Sequence, residues 1–194
     1  MTKHFLRAAT PLVLITLLSD PANAHTGLET GFSLVDGILH PLSGFDHVAA
    51  MVCVGLWAAL AGGRAQWMLP ASFFGAMVAG AVMARLGVVP PSIETGIAVS
   101  VIGLGLAVAA GEKVPMSLAA LVVAIFGLFH GAAHGAEAPS GSFTGYAVGF
   151  ALTTMVLHAS GFAIARLIER FTSQEPVRAI GALAAASGLV LVLR

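Results

Sequence analysis

Residues 33–61 read SLVDGILHPLSGFDHVAAMVCVGLWAALA, a long apolar stretch that holds the histidines His40 and His47 and the aspartates Asp36 and Asp46. A helix of about 20 apolar residues is long enough to cross the hydrocarbon core of a bilayer. Ionisable side chains are rare inside such helices, because burying a charge in lipid is costly. The stretch therefore predicts a membrane-spanning segment that carries a functional site.

The composition of the whole chain agrees with a membrane location. Of its 194 residues, 58% are hydrophobic and 9% are charged, whereas a soluble domain carries roughly 25% charged residues. The 23 glycines suit helices that pack closely in lipid, so we predict an all-α membrane protein. The formal net charge is zero, which gives no indication of a basic surface for nucleic acid. The single cysteine, Cys53, excludes a disulfide framework and a cysteine-based zinc site within one chain.

The first 24 residues have the layout of a signal peptide. Lys3 and Arg7 are basic, an apolar run covers residues 8–18, and the sequence ANA at residues 22–24 is a typical cleavage site. Cleavage would leave His25 as the first mature residue, whose α-amine and imidazole can together chelate a divalent metal. An uncleaved anchor helix and a solvated terminal histidine are the alternatives. Export by a signal peptide places the mature amino terminus in the periplasm of a bacterium.

The rest of the chain, residues 25–194, is predicted to form one transmembrane domain of six helices. The apolar segments are roughly Ser33–Ala61, Trp67–Leu86, Ile93–Ala110, Pro115–Ala136, Phe143–Ile168 and Ala179–Leu193. With the amino terminus outside, the inner side receives five basic residues, namely Arg64, Lys113, Arg166, Arg170 and Arg178. The outer side receives two, Arg85 and Arg194. Because basic residues favour the cytoplasmic side, we expect a multi-pass protein of the bacterial inner membrane with both mature termini in the periplasm.

A second polar motif, HGAAHGAE at residues 130–137, ends the fourth apolar segment. On a helix with about 3.6 residues per turn, His130, His134 and Glu137 lie within about 60° of one another. Two imidazoles and a carboxylate on one face can form half of a site for a divalent transition metal. The motif differs from the zinc-protease pattern H-E-x-x-H, because no glutamate follows its first histidine.

The first motif, HPLSGFDH, contains two residues that disturb helices. Pro41 removes an amide donor and Gly44 permits unusual dihedral angles, so we expect the helix to begin or bend within the motif. On a regular helix His40 and His47 would share a face, and Asp46 would lie about 80° away from it. Both motifs fall near the outer side of the membrane, so we interpret them as two halves of one site.

Residue chemistry narrows the choice of ion without identifying it. Imidazole ligands suit nickel, copper, zinc and cobalt, and carboxylates extend the choice to harder ions. The near absence of thiolates argues against a Cu(I) site. His158, in the fifth segment, is either a hydrogen-bonded packing residue or a further ligand. A structural network of paired histidines and carboxylates is the alternative to a metal site.

The two motifs resemble those of a known family. The run from His40 to His47, continued by AMV at residues 50–52 and GLWA at residues 55–58, is similar to the signature of the HupE/UreJ family of hydrogenase and urease accessory membrane proteins. HGAAHGAE resembles the second motif of that family, and the similarity extends over the mature chain. The resemblance implies secondary transport of nickel, or of cobalt in some members, to supply nickel enzymes. It also implies metal-handling roles for His40, Asp46, His47, His134 and Glu137, with His130 beside them.

These observations predict a nickel permease in the lipid bilayer, with cobalt as a second candidate ion. We expect the metal to meet His25 first, then an outer group and finally an inner group: the outer group is His40, Asp46, His134 and Glu137, and the inner group is His47, His130 and His158.

The sequence lacks the nucleotide-binding motif G-x-x-x-x-G-K-[ST], and we predict that the chain is not an enzyme. Two alternatives stay open: an intramembrane metalloenzyme with Glu137 as general base, and an accessory protein that binds metal without transporting it. The oligomeric state is not predicted.

Overall fold

The computed structural model describes residues 33–111, 114–138 and 143–193, and within these ranges the chain forms seven α-helices and no strand. The helices are α1 (Ser33–Ser43), α2 (Phe45–Ala61), α3 (Ala65–Arg85), α4 (Ile93–Ala110), α5 (Met116–Ala136), α6 (Phe143–Phe171) and α7 (Glu175–Val192). The predicted all-α membrane fold is confirmed. The predicted signal peptide and His25 lie outside the described residues, as do Lys113 and Arg194.

Five of these helices, α3 to α7, are long and apolar enough to cross a membrane. The helices α1 and α2 reach that length only together, and they meet at a bend of 82°. The six predicted spans are matched when α1 and α2 count as one broken span. Large apolar side chains cover the outside of the bundle, including Leu106 at 56%, Leu121 at 57% and Val156 at 62% exposure. Such a surface suits contact with lipid tails, which are as apolar as leucine.

The bend between α1 and α2 falls at Gly44, inside the first motif as predicted. Gly44 has an extended backbone, with φ −101° and ψ 120°. The Ser43 hydroxyl donates to the carbonyl of His40 at 2.7 Å, which satisfies one of the carbonyls left free where α1 ends. The next helix begins with the hydrogen bond from the Val48 amide to the Gly44 carbonyl. His40 and His47 therefore do not share one face of a single regular helix, as they would without the bend.

A stripe of glycines brings α3 and α5 into backbone contact. Gly127, Gly131 and Gly135 are spaced about one turn apart along α5, and a Cβ on any of them would collide with the backbone of α3. Their neighbours on α3, in chain order, are Phe73, Met77 and Ala81. Because both series ascend together, the two helices run parallel. The two histidines of α5 each follow one of these glycines by three residues, so they lie beside this close contact.

Three further helix pairs pack in the same way, one of them α2 on α6, where Gly55 meets the backbone of His158. The helices α4 and α7 pack through Gly105 and Gly181, and α1 packs on α6 where Gly37 meets the backbone of Tyr146. In each pair a small residue lets two backbones approach closely, as is common between membrane helices. As a result, the end of α1, the start of α2, the end of α5 and the start of α6 meet at one end of the bundle.

Candidate metal centre

Three histidines from three helices converge at this end of the bundle. His40 lies in the last turn of α1, His47 near the start of α2, and His134 in the last turn of α5. Each ring offers one nitrogen, and these nitrogens all lie within 4.8 Å of one another. The centroid of the His134 ring is 5.0 Å from that of His40 and 5.0 Å from that of His47. We call these three residues the histidine cluster.

The bend at Gly44 is what brings His47 into the cluster. On a straight helix, with a rise of about 1.5 Å per residue, His40 and His47 would be separated by about 10 Å along the axis. The 82° turn between α1 and α2 lets the two rings approach to 6.0 Å. His47 therefore lies between the outer-group histidines His40 and His134 and the inner-group residue His130, whose ring is 4.7 Å away.

Asp46 lies against His47 and fixes the orientation of its ring. Its Oδ1 accepts a hydrogen bond from the backbone amide of His47 at 2.7 Å and lies 2.8 Å from Nδ1 of the same residue. An ionised carboxylate has no proton to donate, so Nδ1 carries a proton, and in the neutral ring Nε2 keeps its lone pair. Nε2 of His47 is buried and has no hydrogen-bond partner among the described residues. Carboxylates orient imidazole ligands in this way at metal sites.

Glu137 connects the two motifs. It directly follows α5, where its amide donates to the carbonyl of Ala133 at 2.9 Å. Its Oε2 lies 3.3 Å from Nε2 of His40, so the end of α5 supplies both an imidazole to the cluster and a carboxylate to another member of it. The side chains of His40 and Glu137 are 14% and 23% exposed. This pair and Asp46, whose side chain is 24% exposed, therefore form the accessible edge of the site.

His134 is the most enclosed member of the cluster. Its ring is fully buried and stacks on Phe150, with the centroids 4.6 Å apart. Neither ring nitrogen has a hydrogen-bond partner in the part of the chain that the structure describes. Buried polar groups are nearly always hydrogen-bonded, because an unmet one costs free energy. A divalent metal ion would give the unprotonated one of these nitrogens a partner, so the donor set fits a metal.

His130 lies deeper in the bundle than the cluster. It precedes His134 by about one turn of α5, and its ring is 4.7 Å from that of His47. Its Nε2 is 2.8 Å from the Oγ of Ser100 on α4. Within residues 33–111, 114–138 and 143–193, no hydrogen-bond partner of its buried Nδ1 is found. His130 is thus next to the cluster without being one of its three members.

His158 is separated from the cluster. It lies on α6, and the ring of Phe73 lies 5.2 Å from its ring and 5.4 Å from that of His130. His158 lines a cavity of about 530 Å³ between α3 and α6, whose other walls are mainly apolar and include Trp67 and Phe162. His158, predicted as either a packing residue or a further ligand, is not one of the three residues of the histidine cluster, and the Phe73 ring packs against both His158 and His130.

Three residues near the site were not predicted from the sequence as site residues. Tyr146, in the first turn of α6, is buried with its ring 5.7 Å from that of His40. Ser100 is fully buried and contacts His130, and the charge of Glu94 acts on His47 from the first turn of α4. Because Tyr146 is the only tyrosine of the chain, the sequence could have singled it out as a candidate site residue. A serine within an apolar helix carries no comparable signal, because many such serines bond only to their own helix.

The fold and the site together define an α-helical membrane protein whose spans enclose a histidine cluster flanked by carboxylates. The chain belongs to the HupE/UreJ family, which it matches over residues 13–191. It is 43% identical over 173 residues to Protein HupE of Rhizobium leguminosarum bv. viciae, and this match covers 89% of the chain and 90% of that protein. No solved structure matches the chain at a significant level. The resemblance that the two motifs predicted is confirmed.

Proposed function

We propose that this chain is a permease that moves Ni²⁺, with Co²⁺ as a second candidate cargo, across the bacterial inner membrane to supply nickel enzymes such as hydrogenase or urease. Membership of the HupE/UreJ family supports an accessory role of this kind. The observation that carries the proposal is the convergence of His40, His47 and His134, whose ligand atoms lie within 4.8 Å of one another. Three imidazoles brought together inside a membrane bundle suit a borderline divalent ion.

The charges around the cluster match a divalent cargo. Asp46 and Glu137 each contact one imidazole of the cluster, and as carboxylates they supply two negative charges. A bound ion of charge +2 would make the loaded site electrically neutral, which matters because a net charge is costly in the low dielectric of a bilayer. In this mechanism the ion exchanges its water for imidazole nitrogens, while the carboxylates hold the rings and balance the charge.

The ligand chemistry selects among ions. Mg²⁺ and Ca²⁺ prefer oxygen ligands, whereas nickel and cobalt accept imidazole readily. The thiol of Cys53 is buried in α2 and is not a member of the cluster, so a soft thiolate site for Cu(I) is not favoured. We expect uptake of nickel-63 to be inhibited by excess cobalt and to be unaffected by excess magnesium.

The route through the bundle follows the remaining histidines. The predicted orientation puts the cluster on the periplasmic side, where His25 would meet the ion first. From the cluster the ion passes to His130 and then toward His158. Several ligands of moderate strength suit transport, because each must bind the ion and also release it. The sequence has no nucleotide-binding motif, so we expect that the chain does not itself hydrolyse ATP, and both facilitated diffusion and proton-coupled exchange fit the proposal.

Reconstitution tests the proposal against the two alternatives. The purified full-length chain is placed in sealed proteoliposomes, and accumulation of nickel-63 is followed over time. A permease continues to fill the lumen far beyond one ion per protein, and the accumulated label is released when the vesicles are made leaky. A binding protein loads stoichiometrically and stops, and that result would overturn the proposal. Turnover of an organic substrate without metal movement would instead favour the intramembrane metalloenzyme.

A further inference from the structure

Ser100 makes two short contacts through one hydroxyl group. The residue is fully buried on α4. Its Oγ lies 2.6 Å from the carbonyl oxygen of Ile97 and 2.8 Å from Nε2 of His130. A serine hydroxyl has one proton to donate and can accept hydrogen bonds through its oxygen. The two contacts therefore constrain where the proton of the His130 ring lies.

Two proton arrangements are possible, and they differ in the number of hydrogen bonds. If the serine donates to the Ile97 carbonyl, which can only accept, then Nε2 of His130 must donate to the serine oxygen, and both contacts are hydrogen bonds. If the serine donates to Nε2 instead, the contact with Ile97 is lost and the ring carries its proton on Nδ1. That second arrangement makes one bond and leaves a buried N–H donor without a partner among the described residues, which costs free energy. The first arrangement is the stable one.

The stable arrangement leaves a lone pair on Nδ1 of His130. This atom is buried, and its ring is 4.7 Å from the ring of His47. We propose that Ser100 holds His130 in the tautomer with the proton on Nε2, so that Nδ1 is a metal-accepting atom that receives the ion when it leaves the histidine cluster. This inference rests on the proposed permease function and adds a residue that neither motif contains.

The tautomer matters because it sets the sign of the partial charge that the His130 ring presents to the arriving ion. An imidazole in the opposite tautomer would direct an N–H group, a donor with a partial positive charge, toward the arriving cation. Nδ1 could then bind the ion only after the proton had moved. Asp46 has the matching effect on His47, where Nδ1 is occupied and Nε2 keeps its lone pair. Neighbouring rings thus present opposite nitrogens, each selected by an anchoring oxygen.

Ser100 is a positioning residue and not a ligand, so its test must read the tautomer directly. The full-length protein, labelled with ¹⁵N-histidine and stripped of metal, is studied in lipid bilayers by solid-state NMR, where protonated and bare ring nitrogens have distinct shifts. A His130→Asn sample assigns the resonances of His130. The variant is Ser100→Ala. The matched control is Ser187→Ala, because Ser187 is also buried in a membrane helix but its hydroxyl donates to its own helix, to the carbonyl of Leu183 at 2.9 Å.

We expect wild-type His130 to carry its proton on Nε2, and Ser100→Ala to give a mixture of tautomers. In proteoliposomes Ser100→Ala should lower the maximal rate of nickel-63 uptake by about tenfold, the scale at which lost outer-shell partners act, with little change in the nickel concentration at half-maximal rate. Ser187→Ala should alter neither measurement. Rescue by Ser100→Thr, which keeps the hydroxyl, would add support.

Two results would overturn the inference. One is a wild-type His130 with its proton on Nδ1, a measurement that needs no variant and does not depend on transport. The other is a normal maximal uptake rate in Ser100→Ala despite a changed tautomer. Both differ from failure of the permease proposal itself, which would appear as a wild-type protein that moves no nickel in the same vesicles.

Discussion

Oε2 of Glu137 lies 3.3 Å from Nε2 of His40, so the residue that follows α5 contacts the last turn of α1. This contact links two motifs that are about ninety residues apart in the chain. It also places a carboxylate at the accessible edge of the histidine cluster, where an arriving cation would first be attracted. The relationship between these two residues makes the site one unit instead of two separate polar patches.

Glu137→Gln should lower nickel-63 uptake by about 10- to 100-fold, the range seen when partners of metal ligands are removed. The substitution keeps the size of the side chain but removes the charge that contacts His40 and that would balance the ion in the proposed site. Uptake is measured in cells at equal protein level. The control is Glu175→Gln, at the start of α7, where the carboxylate is 76% exposed and remote from the motifs in sequence. Equal uptake by Glu137→Gln and wild type would remove Glu137 from the site.

Asp46→Asn should weaken nickel binding by about tenfold or more without changing the number of imidazole ligands. The reason is that Asp46 accepts the hydrogen bond from Nδ1 of His47 and orients the ring, so that Nε2 would bind the ion in the proposed site. Equilibrium binding of nickel-63 gives the affinity, and X-ray absorption of the bound nickel counts its imidazole nitrogens. Loss of an oxygen ligand from the nickel spectrum would show instead that Asp46 binds the ion directly.

Gly44→Ala should impair transport although alanine is compatible with the backbone angles there. A Cβ at this position would lie 2.6 Å from Oδ1 of Asp46 and 3.1 Å from Nδ1 of His47, so the paired side chains would have to move. We expect uptake to fall by about tenfold, in line with a disturbed outer shell, at normal protein level. Gly75→Ala is the control, because apart from its chain neighbours and the backbone of its own helix, no atom of the described residues lies within 4 Å of a Cβ at that glycine.

Gly131→Ala should destabilise the bundle, because a Cβ there would collide with the backbone carbonyl of Met77 on α3. An added methyl group between two helices in backbone contact overpacks the interface, which lowers the free energy of unfolding by about 1–3 kcal/mol. Thermal unfolding in detergent, with Gly75→Ala as the matched substitution in the same bundle, measures the difference. An unchanged melting temperature for Gly131→Ala would mean that α3 and α5 are not in the contact described.

The outline of the fold and one half of the site could be predicted from the sequence. Apolar segments of spanning length identify membrane helices because the thickness of the bilayer sets the number of residues required. The face shared by His130 and His134 follows from the period of the helix, a local property that neighbours in the bundle do not change. The bend within the first motif was indicated by Pro41 and Gly44, whose backbone constraints are also local.

The sequence by itself determined which ionisable groups enter the membrane and which helices carry them, since residue type and helical period are written along the chain. Only the tertiary structure decided how those groups pair. The 82° bend draws His47 to His40, Asp46 accepts the hydrogen bond from Nδ1 of His47, and Ser100 reaches His130 from another helix. The physical reason is that the bend angle and the contacts between helices depend on how the glycine-lined faces pack. Packing brings together residues that are far apart in the chain, and their separation in sequence does not reveal their distance in space.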